Sequence, residues 1–382
     1  MDLRLTEMQN ALREEATAFA EALRPALAED PDWRRQGLLS DGDSREVTRA
    51  LGAAGWIGMT WPGDFGGRGL THVDAALVED VLGYHWLPLS LYLLSYKTIG
   101  CAVERFATPA LKDRLLGPIA RGELTFCQGF SEPGAGSDLA SLTTRGRLRD
   151  DRFVVDGHKI WTSSAWVADW IYLAVRTGDV ESRHRGISVL VAPIDTPGIE
   201  VRRFPALGGG HLCEVFLDGV EIPAENLVGE VDRGWDVLMH TLDFERITAE
   251  KLGGLAWVLD ALEKRLDEND RLDSAWPRLA SLRGELAAAR LLSLRAADLL
   301  DRGEPASSGS AMAKLAGARL AQRLAREGIE LLGLEGLTDA HASAPLEGRL
   351  GGLYRASVGS TISGGSAEIL QVVIARRGLG LR

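Results

Sequence analysis

Cysteine is scarce in this 382-residue chain: Cys101, Cys127 and Cys213 lie far apart. That excludes a disulfide framework and a paired metal-binding knuckle. Lysine is scarcer still for its class, with 6 Lys among 43 basic residues, a bias of composition rather than of function. The basic residues are outnumbered by 54 acidic ones, for a net charge of −11, and a nucleic-acid partner is not expected of so acidic a chain. The seven histidines, His72, His85, His158, His184, His211, His240 and His341, show no zinc-site spacing, and no paired-carboxylate motif stands out, so no metal is expected. No long apolar run exists either. The longest, Leu87 to Val103, is interrupted by Lys97 and polar residues and is too short to span a bilayer. The opening Met1-Asp2-Leu3-Arg4 lacks the pattern of a signal peptide. A cytoplasmic protein without a membrane contact is the expectation. Neither a Gly-x-Ser-x-Gly elbow nor a Rossmann fingerprint occurs, which excludes a serine hydrolase and a Rossmann dinucleotide enzyme.

What is present is an ordinary globular composition, 45% hydrophobic and 25% charged, arranged as helix, then strand, then helix. Leu5, Met8, Leu12, Ala16, Phe19 and Leu23 recur every three or four residues, and residues 1 to about 55 read as helix. Trp61-Pro62-Gly63 through Gly69 breaks the pattern, which resumes from Val73 to Gly117. From Glu123 to Gly229 short β-branched runs take over: 153–155, 170–175, 187–191, 214–217 and 220–223 read as strands. Asp156-Gly157 and Asp218-Gly219 read as hairpin turns. Helical periodicity then returns over 235–267, 277–302 and 310–333, with Pro277 read as a first-turn proline and a last helix after Ser366. The domains implied are 1–121 (helical), 122–232 (β) and 233–382 (helical).

Four segments could carry chemistry. Gln128-Gly129-Phe130-Ser131-Glu132-Pro133-Gly134-Ala135-Gly136-Ser137-Asp138 can fold into a concave run of N–H groups suited to a pyrophosphate, or simply into a tight loop. Lys159-Ile160-Trp161-Thr162-Ser163-Ser164 offers an indole to stack on a flat ring with hydroxyls beside it, unless Trp161 is a sheet-core residue. Asp243-Phe244-Glu245-Arg246 places a carboxylate on a helix, either a general base or a solvated residue with Arg246 paired to Glu250 one turn on. Ser363-Gly364-Gly365-Ser366-Ala367-Glu368 reads as a loop feeding a helix capped by Ser366.

In this order these segments, with Trp61-Pro62, Phe65-Gly66-Gly67 and Ile222-Pro223-Ala224-Glu225-Asn226-Leu227-Val228-Gly229, make the whole chain resemble the acyl-CoA dehydrogenase family. The resemblance implies an N-terminal helical domain, a central β domain and a C-terminal four-helix bundle. It also implies FAD, held by Gln128, Gly129, Phe130, Ser131, Gly136, Ser137, Trp161, Thr162, Ser163, Ser366 and Glu368. Substrate contacts would come from Ser137, Asp243, Arg246, Gly364 and Gly365, and the implied reaction is α,β-dehydrogenation of an acyl thioester on CoA or acyl-carrier protein. An electron-transfer flavoprotein would take the electrons.

Most members of the family carry the catalytic Glu where this chain has Gly364. A minority, isovaleryl-CoA dehydrogenase among them, place it on the bundle helix, at the position of Glu245, which is therefore the expected base. Two further departures affect contacts across subunits. Residues 267–290 offer Arg271, Arg278, Arg283 and Arg290 without the usual Arg-x-x-Phe, and Glu330-Leu331-Leu332-Gly333-Leu334-Glu335-Gly336 replaces a Gln-x-x-Gly-Gly-x-Gly run. Both are similar to actinobacterial members that work as heteromers on bulky thioesters such as steroid side chains. The chain is thus expected to form a homo-oligomer or a heteromer with a related chain. Two other readings stay open: a flavin-dependent monooxygenase of the same fold, or a non-catalytic subunit.

Overall fold

The computed structural model describes residues 4–29, 33, 44–338, 341 and 344–381. The helical reading of 1–55 falls partly outside these residues. Within them it gives α1 (Glu7–Glu29), which buries Leu12, Ala16 and Ala20 at i, i+4 and i+8, and α2 (Arg45–Ala53), whose Ser44 side chain accepts from the Val47 N–H. A capping box between Thr71 and Asp74 starts α3 (His72–Tyr84). Next comes α4 (Ser90–Tyr92), which runs through a π-helical stretch, Leu93–Gly100, into α5 (Cys101–Phe106). Thr108 and Pro109 then open α6 (Pro109–Ala120).

The β domain holds β1 (Phe126–Gly129), β2 (Arg145–Arg149), β3 (Arg152–Ser163), β4 (Trp170–Arg176), β5 (Ile187–Pro193), β6 (Ile199–Pro205) and β7 (His211–Pro223). Their order is β1-β4-β2-β3-β7-β6, with β5 on β4. β4 and β5 are buried on both faces. Ile171, Leu173 and Val175 face the β core, while Tyr172 and Ala174 face the helical core that includes Val237 and Leu238. Double burial is why this segment is apolar without alternation.

Neither Asp-Gly pair is a hairpin. β3 and β7 run straight through them, and between the pairs Val155↔Val220 and Gly157↔Leu217 one residue, Asp156, opposes two, Asp218 and Gly219. This is a bulge, with Gly219 at φ +60° and its N–H donated to Asp156 Oδ1 at 2.9 Å. The tight turn is at Asp150-Asp151, between the paired Arg149 and Arg152, with Asp150 at φ +54°.

The helical half comprises α7 (Gly234–Glu245), α8 (Ala249–Asp267), α9 (Leu272–Asp301), α10 (Ser307–Leu332), α11 (Arg349–Ser360) and α12 (Ala367–Val373). The run 235–267 is therefore two helices, interrupted at Arg246-Ile247-Thr248 directly after Glu245. Pro277 lies inside α9 rather than in its first turn. α3 and α8 cross backbone to backbone: a Cβ on Gly83 would stand 1.8 Å from the Glu250 carbonyl oxygen, and one on Gly253 1.9 Å from that of Asp80.

Candidate active site

The first motif is a tight turn locked by its own acidic residue. Glu132 and Ala135 exchange both backbone hydrogen bonds, at 2.9 and 3.1 Å. The Glu132 carboxylate turns inward, accepting from Thr143 N (2.7 Å), Thr143 Oγ1 (2.8 Å), Thr144 N (2.8 Å) and Lys159 Nζ (2.8 Å). Lys159 Nζ also donates to the Phe130 carbonyl at 3.0 Å. Burial pushes the Glu132 carboxyl up, but the Lys159 charge and these hydrogen bonds outweigh it and hold it at about 2. Burial in turn brings Lys159 down to about 8, against the pull of Glu132. This pair fastens the first motif to the second. By contrast, Gly134 and Gly136 meet no such demand: a Cβ on either would find no atom within 4 Å. Gly134, Gly136 and Ser137 lie exposed, so the outer face of the loop is open.

The second motif presents its indole outward. Between Lys159↔Val215 and Thr162↔Cys213, Ile160 and Trp161 together oppose Glu214, a second bulge. Trp161 sits at φ +61°, unusual for a bulky residue, and is 58% exposed, its ring edge-on to Phe204 at 5.5 Å between centroids. It is not a sheet-core residue. Beside it Ser163 is half-buried, while Thr162 Oγ1 is fully buried without a hydrogen-bond partner. Gln128 Oε1 on β1 is likewise buried and unpartnered. An exposed ring held at a strained φ, and on the helical side of the sheet an orphaned Gln128 acceptor, fit a flat polar ligand.

The third and fourth motifs meet at the end of α7. Gln128 Nε2 lies 3.5 Å from Glu245 Oε2, joining β1 to that end. One turn earlier on α7, Thr241 shares a 3.0 Å hydrogen bond with Tyr172 of β4. Gly364, at φ +63°, comes so close that a Cβ there would stand 3.0 Å from Glu245 Oε1 and 3.6 Å from Lys314 Cε. Arg246 does not pair with Glu250, because the helix breaks between them. Its Nε instead donates to the Gly364 carbonyl at 3.1 Å, and its Nη1 lies 3.6 Å from Asp243 Oδ1. Asp243 also accepts from Ser307 Oγ (2.7 Å) and Ser310 Oγ (3.3 Å) of α10. Burial raises its carboxyl and lowers the Arg246 guanidinium. Lys314 of α10, which nothing in the sequence patterns singled out, donates to the Ser360 carbonyl at the end of α11. Burial brings its ammonium down to about 7, Lys251 acting the same way and Glu245 opposing.

Thus Gln128, Glu245, Arg246 and Gly364 form one connected set. Gly129 and Phe130 are buried beside it on β1 and in the turn that follows, with Phe130 against Tyr172 at 5.7 Å. Ser131 accepts at its carbonyl from the Ile160 N–H, 2.9 Å away. Gly365 follows at φ +104°, and Ser366 caps α12 by accepting from the Ile369 N–H at 3.3 Å, with Glu368 exposed in the first turn.

The four arginines singled out between 267 and 290 are taken up inside the chain. Arg271 donates to the Leu331 carbonyl, and Arg278 binds Glu327 (2.8 Å) and Glu330 (2.6 Å). Arg283 binds Asp260 and Glu263, and Arg290 grips Asp80 with both nitrogens. Glu335 pairs with Arg265 at 2.9 Å. Among the described residues no group of three or more His, Cys, Asp or Glu is placed to hold a metal, and no helix is long and apolar enough to cross a membrane.

Three family domains match along the chain: the acyl-CoA dehydrogenase N-terminal domain over residues 6–123, the middle domain over 127–220 and the C-terminal domain over 232–379. Acyl-CoA dehydrogenase FadE26 of Mycobacterium tuberculosis is 30% identical over 398 aligned residues, covering 100% of this chain and 99% of that protein. A solved structure of the Tcur3481-Tcur3483 steroid ACAD superposes with a TM-score of 0.91 at 32% identity, covering 100% of both chains. The ChsE4-ChsE5 complex from Mycobacterium tuberculosis superposes at 0.88 with 28% identity over 100% of both chains. The chain belongs to the acyl-CoA dehydrogenase family, flavoprotein oxidoreductases that act on CH–CH bonds.

Proposed function

We propose that this chain dehydrogenates an acyl-CoA thioester at its α,β carbons, with Glu245 as the base. The observation that carries this is the relation of Glu245 to Gly364. The carboxylate borders the space that a side chain at 364 would need, 3.0 Å from the missing Cβ. A carboxylate on α7 thus serves the same point in the cleft as one on the C-terminal loop. Glu245 removes the α-proton while the N–H of Gly364 donates to the thioester carbonyl, where charge develops. Gln128 and the Arg246–Gly364 bond fix the carboxylate against the loop. Such fixing matters because a misplacement of 1 Å can cost about 100-fold in rate.

The β-domain residues fit FAD: Trp161 would stack on the ring, Thr162, Ser163 and Gln128 would meet its polar edge, and the open turn at Gly134–Ser137 would meet the pyrophosphate, with Ser366 and Glu368 at the other portion. When bound, the flavin accepts the β-hydrogen as hydride and passes electrons to an electron-transfer flavoprotein.

Likeness to a steroid ACAD supports a bulky, ring-bearing acyl group. The intrachain pairing of Arg278 with Glu327 and Glu330 supports a related partner chain that completes the FAD site, since the Arg278 charge is already met by two carboxylates of its own chain. The test is anaerobic titration of the purified chain, alone and with a co-expressed related chain, against straight-chain and steroid side-chain acyl-CoAs. Bleaching of the flavin band by the bulky thioesters, only in the mixed complex, is the expected result. Full flavin occupancy of the lone chain would remove the partner, and no bleaching by any thioester would remove the activity.

A further inference from the structure

The break after Glu245 is held from the far side by a buried cation. In a continuous helix the Ile247 carbonyl would accept from the Lys251 N–H. Here that N–H goes to the Thr248 carbonyl, and the Ile247 oxygen is left over. Lys97, 7% exposed in the π-helical stretch, donates to it. The same Nζ lies 2.5 Å from Glu79 Oε2 of α3 and 3.4 Å from Glu250 Oε2 of α8. Tyr92 approaches Glu79 from the other side at 3.5 Å. Glu250 is brought to this point by the glycine-to-backbone crossing of α3 and α8 at Gly83 and Gly253. α3, α8 and the break between α7 and α8 therefore converge on one ammonium, and its contact with the break is the backbone itself.

Packing does only part of this job: the buried Ile247 side chain sits in a small apolar cluster with Ala76, Ala249, Ala296 and Ala297. A cavity of about 20 Å³, room for about one water, lies here, lined by His72, Glu79, Lys97, Phe244, Ile247 and Leu300. Phe244, edge-on to His72 and His240, and Ile247 bracket the Glu245-Arg246 pair, so on this side the end of α7 borders packed rings with a small unfilled space between them. π-Helical turns are rare, and they are frequent at functional sites.

We propose that Lys97 is a positioning residue for the reaction: its bond to the Ile247 carbonyl fixes the α7–α8 break and so aims Glu245 at the substrate. This rests on Glu245 being the base. The test replaces Lys97 and Glu79 by two neutral amides, Lys97→Gln with Glu79→Gln, which can bond one another, with Glu250→Gln added so that no buried carboxylate is left without its cation. Gln is one atom shorter than Lys, so the donor withdraws from the Ile247 oxygen. The assay is anaerobic stopped-flow flavin reduction of the flavin-replete enzyme, assembled with any partner chain it requires, using protiated and α-deuterated acyl-CoA. The expected result is a rate about tenfold lower, a KM within threefold of wild type and a larger α-deuterium isotope effect, because proton removal becomes more fully limiting. A wild-type rate and isotope effect overturn the proposal. If the amide variant does not fold, Lys97→Arg keeps the charges paired but changes the reach. A several-fold slower rate at unchanged KM is then expected, and a wild-type rate overturns the proposal. Glu245→Gln run alongside separates the two ideas: if it reduces flavin normally, the base assignment fails, whereas if it is inactive and the Lys97 variant is normal, only the strut fails.

Discussion

Adding a single methyl group at Gly364 should slow catalysis more than it weakens binding. In Gly364→Ala the new Cβ stands 3.0 Å from Glu245 Oε1 and 3.6 Å from both Glu245 Cδ and Lys314 Cε. A carbon–oxygen contact of 3.0 Å is too short by a few tenths of an ångström, so the carboxylate must retreat. The retreat is opposed by Gln128 on one side and by the Arg246 bond to the 364 carbonyl on the other. Scaling from about 100-fold for 1 Å, a shift of a few tenths predicts a loss of about tenfold in the rate of proton removal. The φ of +63° at this position adds about 1–2 kcal/mol of backbone strain for an alanine. The melting temperature should therefore fall by a few degrees. The assay is anaerobic stopped-flow flavin reduction at saturating acyl-CoA, with ligand affinity from the spectral shift of a non-reducible thioether analogue. An unchanged reduction rate in a folded, flavin-replete variant would refute the claim that Glu245 does its work in this space.

Further expectations concern the rest of the site and its supports. Because Glu132 is held at about 2 in the fold against about 4.3 in an unfolded chain, its contribution to stability is complete above about pH 5 and is lost as the pH falls toward 2. Acid unfolding of wild type and Glu132→Gln should show this as a steeper loss in the wild type. Removing the cation alone, Lys159→Met, strands a buried carboxylate and should cost about 3–5 kcal/mol in urea unfolding. Gly253→Ala drives a Cβ to 1.9 Å from the Asp80 carbonyl oxygen and should destabilise by about 3 kcal/mol or more in the same assay. A loss below about 1 kcal/mol would mean the α3–α8 crossing yields easily. Trp161→Gly relieves a strained φ, so the flavin-free melting temperature should hold, while loss of about 1–2 kcal/mol of stacking should weaken FAD roughly tenfold in a fluorescence titration. Unchanged FAD affinity would remove Trp161 from the cofactor site.

How much of this was legible in sequence depended on whether one residue type had one physical use. The α–β–α order was legible because helical and strand periodicities differ, and Ser366 was read as a cap because a hydroxyl before a helix has few other uses. Asp156-Gly157 and Asp218-Gly219 misled because an Asp-Gly pair suits a bulge as well as a turn. Only the partner strand decides, and pairing across 60 residues is not a local signal. The break after Glu245 was invisible because residues 235–267 stay apolar on one face throughout. The group that bonds the freed Ile247 carbonyl at the interruption, Lys97, lies 150 residues upstream. Lys97, Lys159 and Lys314 are half of the chain's six lysines, and all three are buried. Lys97 stood out as a charge in the longest apolar run and Lys159 as part of the second motif, whereas for Lys314 the scarcity of lysine was the one signal available. Nothing in the sequence singles out Gly83 and Gly253, since a close backbone crossing leaves no mark in a single sequence.

The most direct test of the account is the rate of flavin reduction in Glu245→Gln, measured anaerobically on the flavin-replete enzyme with a thioester that bleaches the wild type. Loss of a positioned base predicts a fall of about 10²–10⁴-fold, with acyl-CoA affinity within a few-fold of wild type. A Glu245→Gln enzyme that still reduces its flavin within tenfold of the wild-type rate would contradict the assignment.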